Sequence, residues 1–557
     1  ASAGYNTIEV DSLEVAINFT TIQNLELTKS TTELEKVIRA TACKKGIDKY
    51  VHGSKATILR EQYYLDGQPV GQPSGGYGLH ECQPGYSPAH GGTSIVNGEP
   101  YDAMFFKNYG TNPFVDTEDD HLSTFAIDTD DASFIMARSY LERGHLPPED
   151  AIRVEEFVNH FNYGYKPPRH EPFRVYLEGG PSEFGQNCRL LKIGVKGRQI
   201  EPKNRKPANL VFVIDVSGSM NRENRLELVK RALRLLVNEL NESDNVGIVV
   251  YGSRGEVVLR PSSIHFREEI LSAIDRLYPS GSTNADEGLR LGYQMASRYF
   301  DKGKTNRIIL CSDGVANVGL TNADDLLMRI KKYANKGITL SAIGFGIGNF
   351  NDILMEKLGN KGNGYYAYVD DIKEAYRIFV ENLTGSLEVI ARDVKIQVDF
   401  NPEIVRSYRL LGYENRDVAD NRFRDDSEDG GEIGSGHEVT ALYEIKFHKD
   451  ADWGNIGDVY IRYKDPETFE VDEIRVPIKQ RIFQDNFNYC SNQFKLAAVS
   501  AEFAEILKKS FWARGFRLDD LRDILRKTFQ SANNHEVVEL EQLISMALRF
   551  KEQLAER

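Results

Sequence analysis

Residues 209 to 214 read Asn-Leu-Val-Phe-Val-Ile, a short and nearly all-apolar run. Such a run suits a central parallel strand buried on both faces. A helix follows, with Leu226, Val229, Leu233, Leu236 and Leu240 at alternating spacings of three and four, the period of a one-faced helix. The alternation then repeats. Strands are expected at 246–251, 307–311, 339–343 and 365–369, and helices at 268–277, 285–298, 323–334 and 372–383. Strands alternating with helices predict a doubly wound α/β region at about residues 205–385.

The flanks have a different character. After Leu383, residues 389–400, 437–447, 457–463 and 471–479 read as strands with no helix between them, an antiparallel β region. From about Asn492 the chain is helical, with Leu496, Val499, Phe503 and Ile506 on one face and two further helices to the end. On the other side, 124–127 reads as a strand and 132–143 as a helix. Pro147 and Pro148 are expected to start another helix, lined by Val154, Phe157, Val158 and Phe161. Residues 173–177 and 190–195 read as strands. The strands at 172–200 and 388–482 are expected to build one β-sandwich into which the α/β region is inserted, because an α/β fold brings its termini close together. The C-terminal helices would pack on this sandwich or on the helices at 132–162. The segments are then 1–115, 116–204, 205–385, 386–490 and 491–557. The first is an extension with a short helix at Ser30 to Ala40 and a Gly/Pro-rich linker from Gly67 to Gly92.

At 557 residues the chain is too long for one hydrophobic core, and three or four domains are expected. A net charge of −14 argues against nucleic acid, which demands a basic surface. No uncharged apolar run approaches the ~20 residues that span a bilayer. The chain opens on Ala-Ser-Ala, a composition found around signal-peptidase sites, and an exported location is expected. Of the five cysteines, Cys311 is expected to be a buried thiol, whereas Cys43 with Cys82 and Cys188 with Cys490 are candidate disulfides. No CxxC spacing points to zinc.

Ligands of an open α/β sheet bind outside the carboxyl ends of its strands. There the sequence places Asp215-Val-Ser217-Gly-Ser219, Gly281-Ser-Thr283-Asn, and Ser312-Asp313-Gly314. Three loops therefore deliver two carboxylates and three hydroxyls to one edge. All are hard oxygen donors, which suit Mg²⁺ first, with Ca²⁺ or Mn²⁺ as alternatives. Two Asp residues only balance a divalent ion, so the ion stays electrophilic toward one more anion.

This arrangement resembles the metal-ion-dependent adhesion site of von Willebrand factor type A domains. The resemblance implies that Ser217, Ser219 and Thr283 bind the metal directly or through water, and that Asp215 and Asp313 bind it or orient its waters. Ser282, beside Thr283, could serve in its place. The stretch Leu122-Ser-Thr-Phe-Ala-Ile-Asp128, the run Leu146-Pro-Pro, Arg153-Val-Glu-Glu, Tyr408 to Arg416 and Gly431 to Glu444 look like a group of bacterial exported proteins with this domain. That likeness covers roughly 95–557 and implies an architecture and a metal site, not a partner. The expected fold class is α/β: a Rossmann-like domain inserted in a β-sandwich, with additional N-terminal and C-terminal helices.

The function expected is metal-dependent protein binding, the cation taking an Asp or Glu from a protein partner. The alternative is a structural subunit of a surface assembly, self-associating around a structural metal. A metal hydrolase is rejected for want of a general base beside the site, as is nucleotide binding, because Gly344, Gly346 and Gly348 do not match a phosphate loop. His160 and His437 are expected to be structural. Asp128, Asp130 and Asp131, near Asp116 and Glu118 to Asp120, are read as a solvated turn at a helix N-terminus rather than a calcium site. The acidic loop at Asp425 to Glu432 is read the same way.

Overall fold

The computed structural model describes residues 106–555, apart from 186, 315–322, 347–351, 427, 429, 450, 452–453, 516 and 530–533, together with residues 64–65 and 68–69. Ala1–Gln83 and Pro84–Arg557 form separate compact units. In the first, Tyr64–Leu65 pairs antiparallel with Gln68–Pro69. The helix expected at Ser30 to Ala40 lies outside the described residues, as do Cys43 and Cys82.

The second unit is built around a six-stranded sheet. Its order is Tyr366–Val369, Ile338–Phe345, Thr305–Ser312, Ala208–Asp215, Asn245–Tyr251 and Gly255–Ser263. The first five strands run parallel and the last is antiparallel. The apolar run at 209–214 serves both faces, as its composition demands. Leu210, Phe212 and Ile214 pack with Val229, Leu233 and Leu236 of the helix Arg225–Glu239. Val211 and Val213 pack on the other face with Leu289 and Tyr293 of the helix Ala285–Arg298. Fully burying each such side chain contributes about 1.5–3 kcal/mol. The antiparallel strand Gly255–Ser263 was not expected. It lies at the sheet edge, is mostly half-exposed and contains Pro261, which an edge tolerates.

Strands from both sides of this sheet in sequence share one further core. One five-stranded sheet holds Leu122–Ala126, Val389–Phe400, Gly431–Gly434, Asn455–Lys464 and Val471–Lys479. The other holds Val115–Asp116, Phe173–Pro181, Arg189–Gly197, Val405–Leu411 and Glu438–Phe447. Phe125, Val195, Ile396, Tyr443 and Val459 are buried together between them, so the expected sandwich is present, joined by the strand read at 124–127 and by three that were not expected, Val115–Asp116, Val405–Leu411 and Gly431–Gly434. The C-terminal helix Asn492–Leu507 packs on the helix Val154–Asn159, where the Ser500 hydroxyl donates to Phe157 O at 2.8 Å.

Two expectations fail here. Pro147 and Pro148 do not open one helix. A 3-10 turn at Glu149–Ala151 is followed by extended Ile152 and Arg153, and the α-helix begins only at Val154. The cause is Ser133, whose hydroxyl donates to Ala151 O at 2.6 Å and accepts from Arg153 N at 2.9 Å. That side chain takes the backbone groups a continuous helix would have used. Cys188 and Cys490 are not bridged: each is buried, and Cys490 Sγ lies 3.8 Å from Asn486 O. Cys311 is a buried thiol, as expected.

Candidate metal centre

Ala208–Asp215 lies where the sheet reverses. The chain runs from it to Asn245–Tyr251 on one side and later returns to Thr305–Ser312 on the other. Loops that leave at such a switch point diverge and open a crevice at the carboxyl edge. Asp215 ends the first strand, Ser217 and Ser219 follow it, and Asp313 comes directly after Ser312.

Four of the five expected residues are joined. Ser217 N–H donates to Asp215 Oδ1 at 2.8 Å, and the Ser217 and Ser219 hydroxyls lie 2.9 Å apart. The Ser219 hydroxyl also faces Asp313. The fifth comes in on its own loop. Ser280 N–H donates to Val216 O, Gly218 N–H donates to Gly281 O at 3.0 Å, and Asn284 N–H donates to Gly252 O at 2.9 Å. These bonds set Thr283 beside the Asp215 loop, although no hydrogen bond among the described residues joins its hydroxyl to the other four. Gly281 makes the approach feasible: its φ is +80°, and a Cβ there would stand 2.3 Å from Ser253 Oγ. Ser282, the alternative donor, is exposed, and its hydroxyl hydrogen-bonds Ser253 at 3.3 Å.

Both carboxylates and Ser217 are deep, and the other two hydroxyls are shallower. Asp215 is fully buried and Asp313 is 5% exposed, whereas Ser219 and Thr283 are half-buried. Burial first, and then the charge of Asp313, push the Asp215 carboxyl up to about 7, against the hydrogen bonds from Ser217 and Ser312. Burial likewise raises Asp313, while Arg225 and the Ser219 hydroxyl pull it back. Two buried like charges this close call for a cation, and the donors present are all oxygen, so the residues fit a hard divalent ion.

Sequence reasoning missed two members. Ser312 donates to Asp215 Oδ2 at 3.1 Å. Its position directly before Asp313 was the available signal. Arg225 is 5% exposed, and its Nη1 donates to Asp313 Oδ2 at 2.8 Å. It reaches there across Gly346, where φ is +82° and a Cβ would stand 2.4 Å from Arg225 Nε. Nothing in the sequence marked that pair.

The other candidates divide. Asp128, Asp130 and Asp131 are not a solvated turn. All three are at most 8% exposed. Arg416 binds Asp128 at 2.8 Å and Asp130 at 3.4 Å, and His160 binds Asp131 at 2.9 Å. Helices and loops far apart in sequence close over them. In the loop at 425–432, Asp425 and Asp426 are exposed and Glu428 and Glu432 half-buried, with Asp426 paired to Arg462 at 2.8 Å and Glu428 to Arg422 at 2.8 Å; Asp429 lies outside the described residues. His437 is half-buried, and desolvation lowers its imidazole to about 4, in keeping with a structural role.

Three family models match the chain. The von Willebrand factor type A domain family matches residues 209–385, a von Willebrand factor family matches 100–192, and the family described as "Uncharacterized protein YfbK, C-terminal" matches 385–549. Uncharacterized protein YfbK of Escherichia coli is 37% identical over 348 residues, 61% of this chain and 60% of that protein. The chain thus covers less than two thirds of that relative's length. Uncharacterized protein sll0103 of Synechocystis is 27% identical over 300 residues, 52% of this chain and 69% of that protein. A solved von Willebrand factor type A structure from Catenulispora acidiphila is 16% identical with a TM-score of 0.39, covering 66% of this chain and 89% of that one. Among the described residues no helix is long and apolar enough to cross a membrane.

Proposed function

Because this chain is a von Willebrand factor type A domain protein, we propose that its carboxyl edge holds a divalent cation, Mg²⁺ first, and uses it to capture an Asp or Glu carboxylate of a protein partner. Proteins with this domain commonly mediate protein interaction or adhesion. Asp215, Ser217, Ser219, Thr283 and Asp313 are the residues that would hold the ion. The setting is the exported one implied by the sequence resemblance. The role is binding, not catalysis.

The observation that carries this reading is the charge balance at the edge. Asp215 and Asp313 bring two negative charges, and Arg225 returns one positive charge to Asp313. A divalent ion there leaves a net positive charge beside hydroxyls that add none. In a partly desolvated crevice, that charge attracts an incoming carboxylate. The chain's own residues do the rest. Ser217 and Ser312 fix the Asp215 carboxylate by hydrogen bonds, and the 280–284 loop keeps Thr283 at the rim.

The test is a pull-down from the native source in Mg²⁺, eluted with EDTA, alongside Mg²⁺ titration calorimetry. Asp215→Ala and Asp313→Ala should each abolish Mg²⁺ binding and partner capture while the folded circular-dichroism spectrum persists. Partner capture that persists unchanged in EDTA would overturn the mechanism. Oligomers that survive both EDTA and the Asp215→Ala change would favour the assembly-subunit reading instead.

A further inference from the structure

A second oxygen cage lies in the N-terminal segment, outside the carboxyl edge. Asp128, Glu155 and Glu156 each present a carboxylate oxygen, and the three oxygens lie within 4.8 Å of one another. All three residues are at most 4% exposed. Two are anchored at both oxygens. Asp128 takes Asp130 N–H at 3.1 Å and Arg416 Nε at 2.8 Å. Glu156 Oε2 accepts Ser133 N–H at 2.7 Å, and its Oε1 forms an ion pair with Arg153, 2.5 Å from Nε. Glu155 is different. Its Oε2 accepts Tyr413 N–H at 3.0 Å, but its Oε1 is buried and meets no hydrogen-bond donor among the described residues. An orphaned carboxylate oxygen inside a protein has lost its water without gaining a donor, so it calls for a partner.

The local charge is also unbalanced. Arg153 must serve Asp352 at 2.7 Å and Glu356 at 2.7 Å besides Glu156. Arg416 is shared between Asp128 and Asp130. Near Glu155, Lys508 is itself paired with Glu414 at 3.1 Å, so three cations face seven carboxylates. Without a further cation the group must retain protons. Either protons or a metal ion completes the site. The three oxygens lie close enough together to share one ion, and Ca²⁺, which takes oxygen ligands in flexible geometry, suits a buried all-protein cage better than Mg²⁺, which dehydrates reluctantly and keeps several waters. A carboxylate oxygen that already accepts one hydrogen bond keeps a lone pair for the metal.

We infer that Asp128, Glu155 and Glu156 form a second cation site, distinct from the carboxyl edge, that takes Ca²⁺ and locks the N-terminal segment to the Tyr413–Arg416 loop. Glu155 Oε1 is the ligand freed for the ion.

The experiment uses the full-length chain carrying Asp215→Ala and Asp313→Ala, which silences the carboxyl edge. After chelation and dialysis, ⁴⁵Ca²⁺ equilibrium dialysis should find one saturable ion per chain. Adding Glu155→Gln should weaken its retention at least tenfold. Should that triple variant fail to fold, the double variant is itself read with Tb³⁺. Tyrosine-sensitised emission should appear, since Tyr413 adjoins the cage, and Ca²⁺ should suppress it. No saturable Ca²⁺ together with no Tb³⁺ emission overturns the proposal in favour of protons. Equal Ca²⁺ affinity with Glu155→Gln also overturns it, because the ion would then sit elsewhere. Failure of the carboxyl-edge reading shows separately, as unchanged Mg²⁺ binding when Asp215 is replaced.

Discussion

The carboxyl edge and the Asp128–Arg153 junction both bury several acids, yet they treat them in opposite ways. At the edge, Asp215 meets only hydroxyls and backbone, and one guanidinium, Arg225, reaches Asp313. The shallow side is half-buried serine and threonine. At the junction, Arg153 bridges Glu156, Asp352 and Glu356, and Arg138 bridges Asp370 and Glu539, tying the N-terminal segment to the α/β domain and the last helix. Hydroxyl-lined acids leave room for an exchangeable ion. Guanidinium-lined acids fix elements to one another. The arginines around a buried carboxylate therefore mark a joint, and at the junction only Glu155, which pairs with no guanidinium among the described residues, is left with an oxygen free for an ion.

The largest effect should come from breaking the joint. Arg153→Met keeps the side-chain volume but strands Glu156, Asp352 and Glu356 without their shared cation. Removing one partner of a buried ionic group costs about 3–5 kcal/mol, so the urea midpoint should fall sharply or the soluble yield collapse. Asp215→Ala should leave the midpoint unchanged or raise it, because it removes a carboxylate held against its own burial. Equal damage from the two changes would erase the distinction between site and joint.

A second joint carries too little positive charge, and pH exposes it. Arg409 serves Glu444 at 2.9 Å and Glu505 at 3.2 Å. Nearby Glu502 has a buried oxygen without a partner, and burial, then the charges of Glu505 and Glu444, raise its carboxyl to about 9. The sign follows from proton counting. Between the unfolded value near 4.5 and about 9 the folded state binds the extra proton, so stability falls as pH rises through that window. Glu502→Gln keeps the protonated shape. It should flatten the fall and be more stable than the parent at pH 8, on the order of 2 kcal/mol. Parallel pH profiles for parent and variant would show that Glu502 ionises freely.

The edge and the joints also differ in what the sequence discloses. The central strands were legible because burial on both faces requires runs such as 209–214, and the edge was legible because Asp215, Ser217 and Ser219 are neighbours in the chain and Asp313 directly follows a strand. The joints were not. Arg416 and Asp128 are separated by 288 positions, and three adjacent acids read as solvated until the fold closes over them. The strand Gly255–Ser263 and the helix Asp352–Lys361 escaped for a local reason. Neither keeps a clean period, since one is a half-exposed edge and the other buries Asp352 and Glu356 to reach Arg153.

Arg225 tests whether a guanidinium at the edge tunes rather than fixes. Arg225→Gln removes a positive charge beside the ion, so Mg²⁺ should bind roughly tenfold tighter. The partner carboxylate should bind more weakly, because the bound ion then faces it with less net charge. Calorimetry for Mg²⁺ and a partner-capture assay should therefore move in opposite directions. Unfolding of this variant would instead class Arg225 with Arg153 as a clamp.

The smallest effect falls on the rim. Thr283 and Ser282 both carry hydroxyls and both lie on the loop held to Val216 and Gly218. Ser282 points its hydroxyl at Ser253, whereas no hydrogen bond among the described residues occupies that of Thr283 toward the other four site residues. A neutral ligand or hydrogen bond contributes about 1 kcal/mol, which is roughly fivefold in affinity. Thr283→Ala should weaken Mg²⁺ by about that factor, and Ser282→Ala by less than about twofold. The reverse order would move the fifth ligand by one residue. Two equal and negligible effects would mean that the loop only walls the crevice, leaving the ion to Asp215, Asp313 and the paired hydroxyls of Ser217 and Ser219.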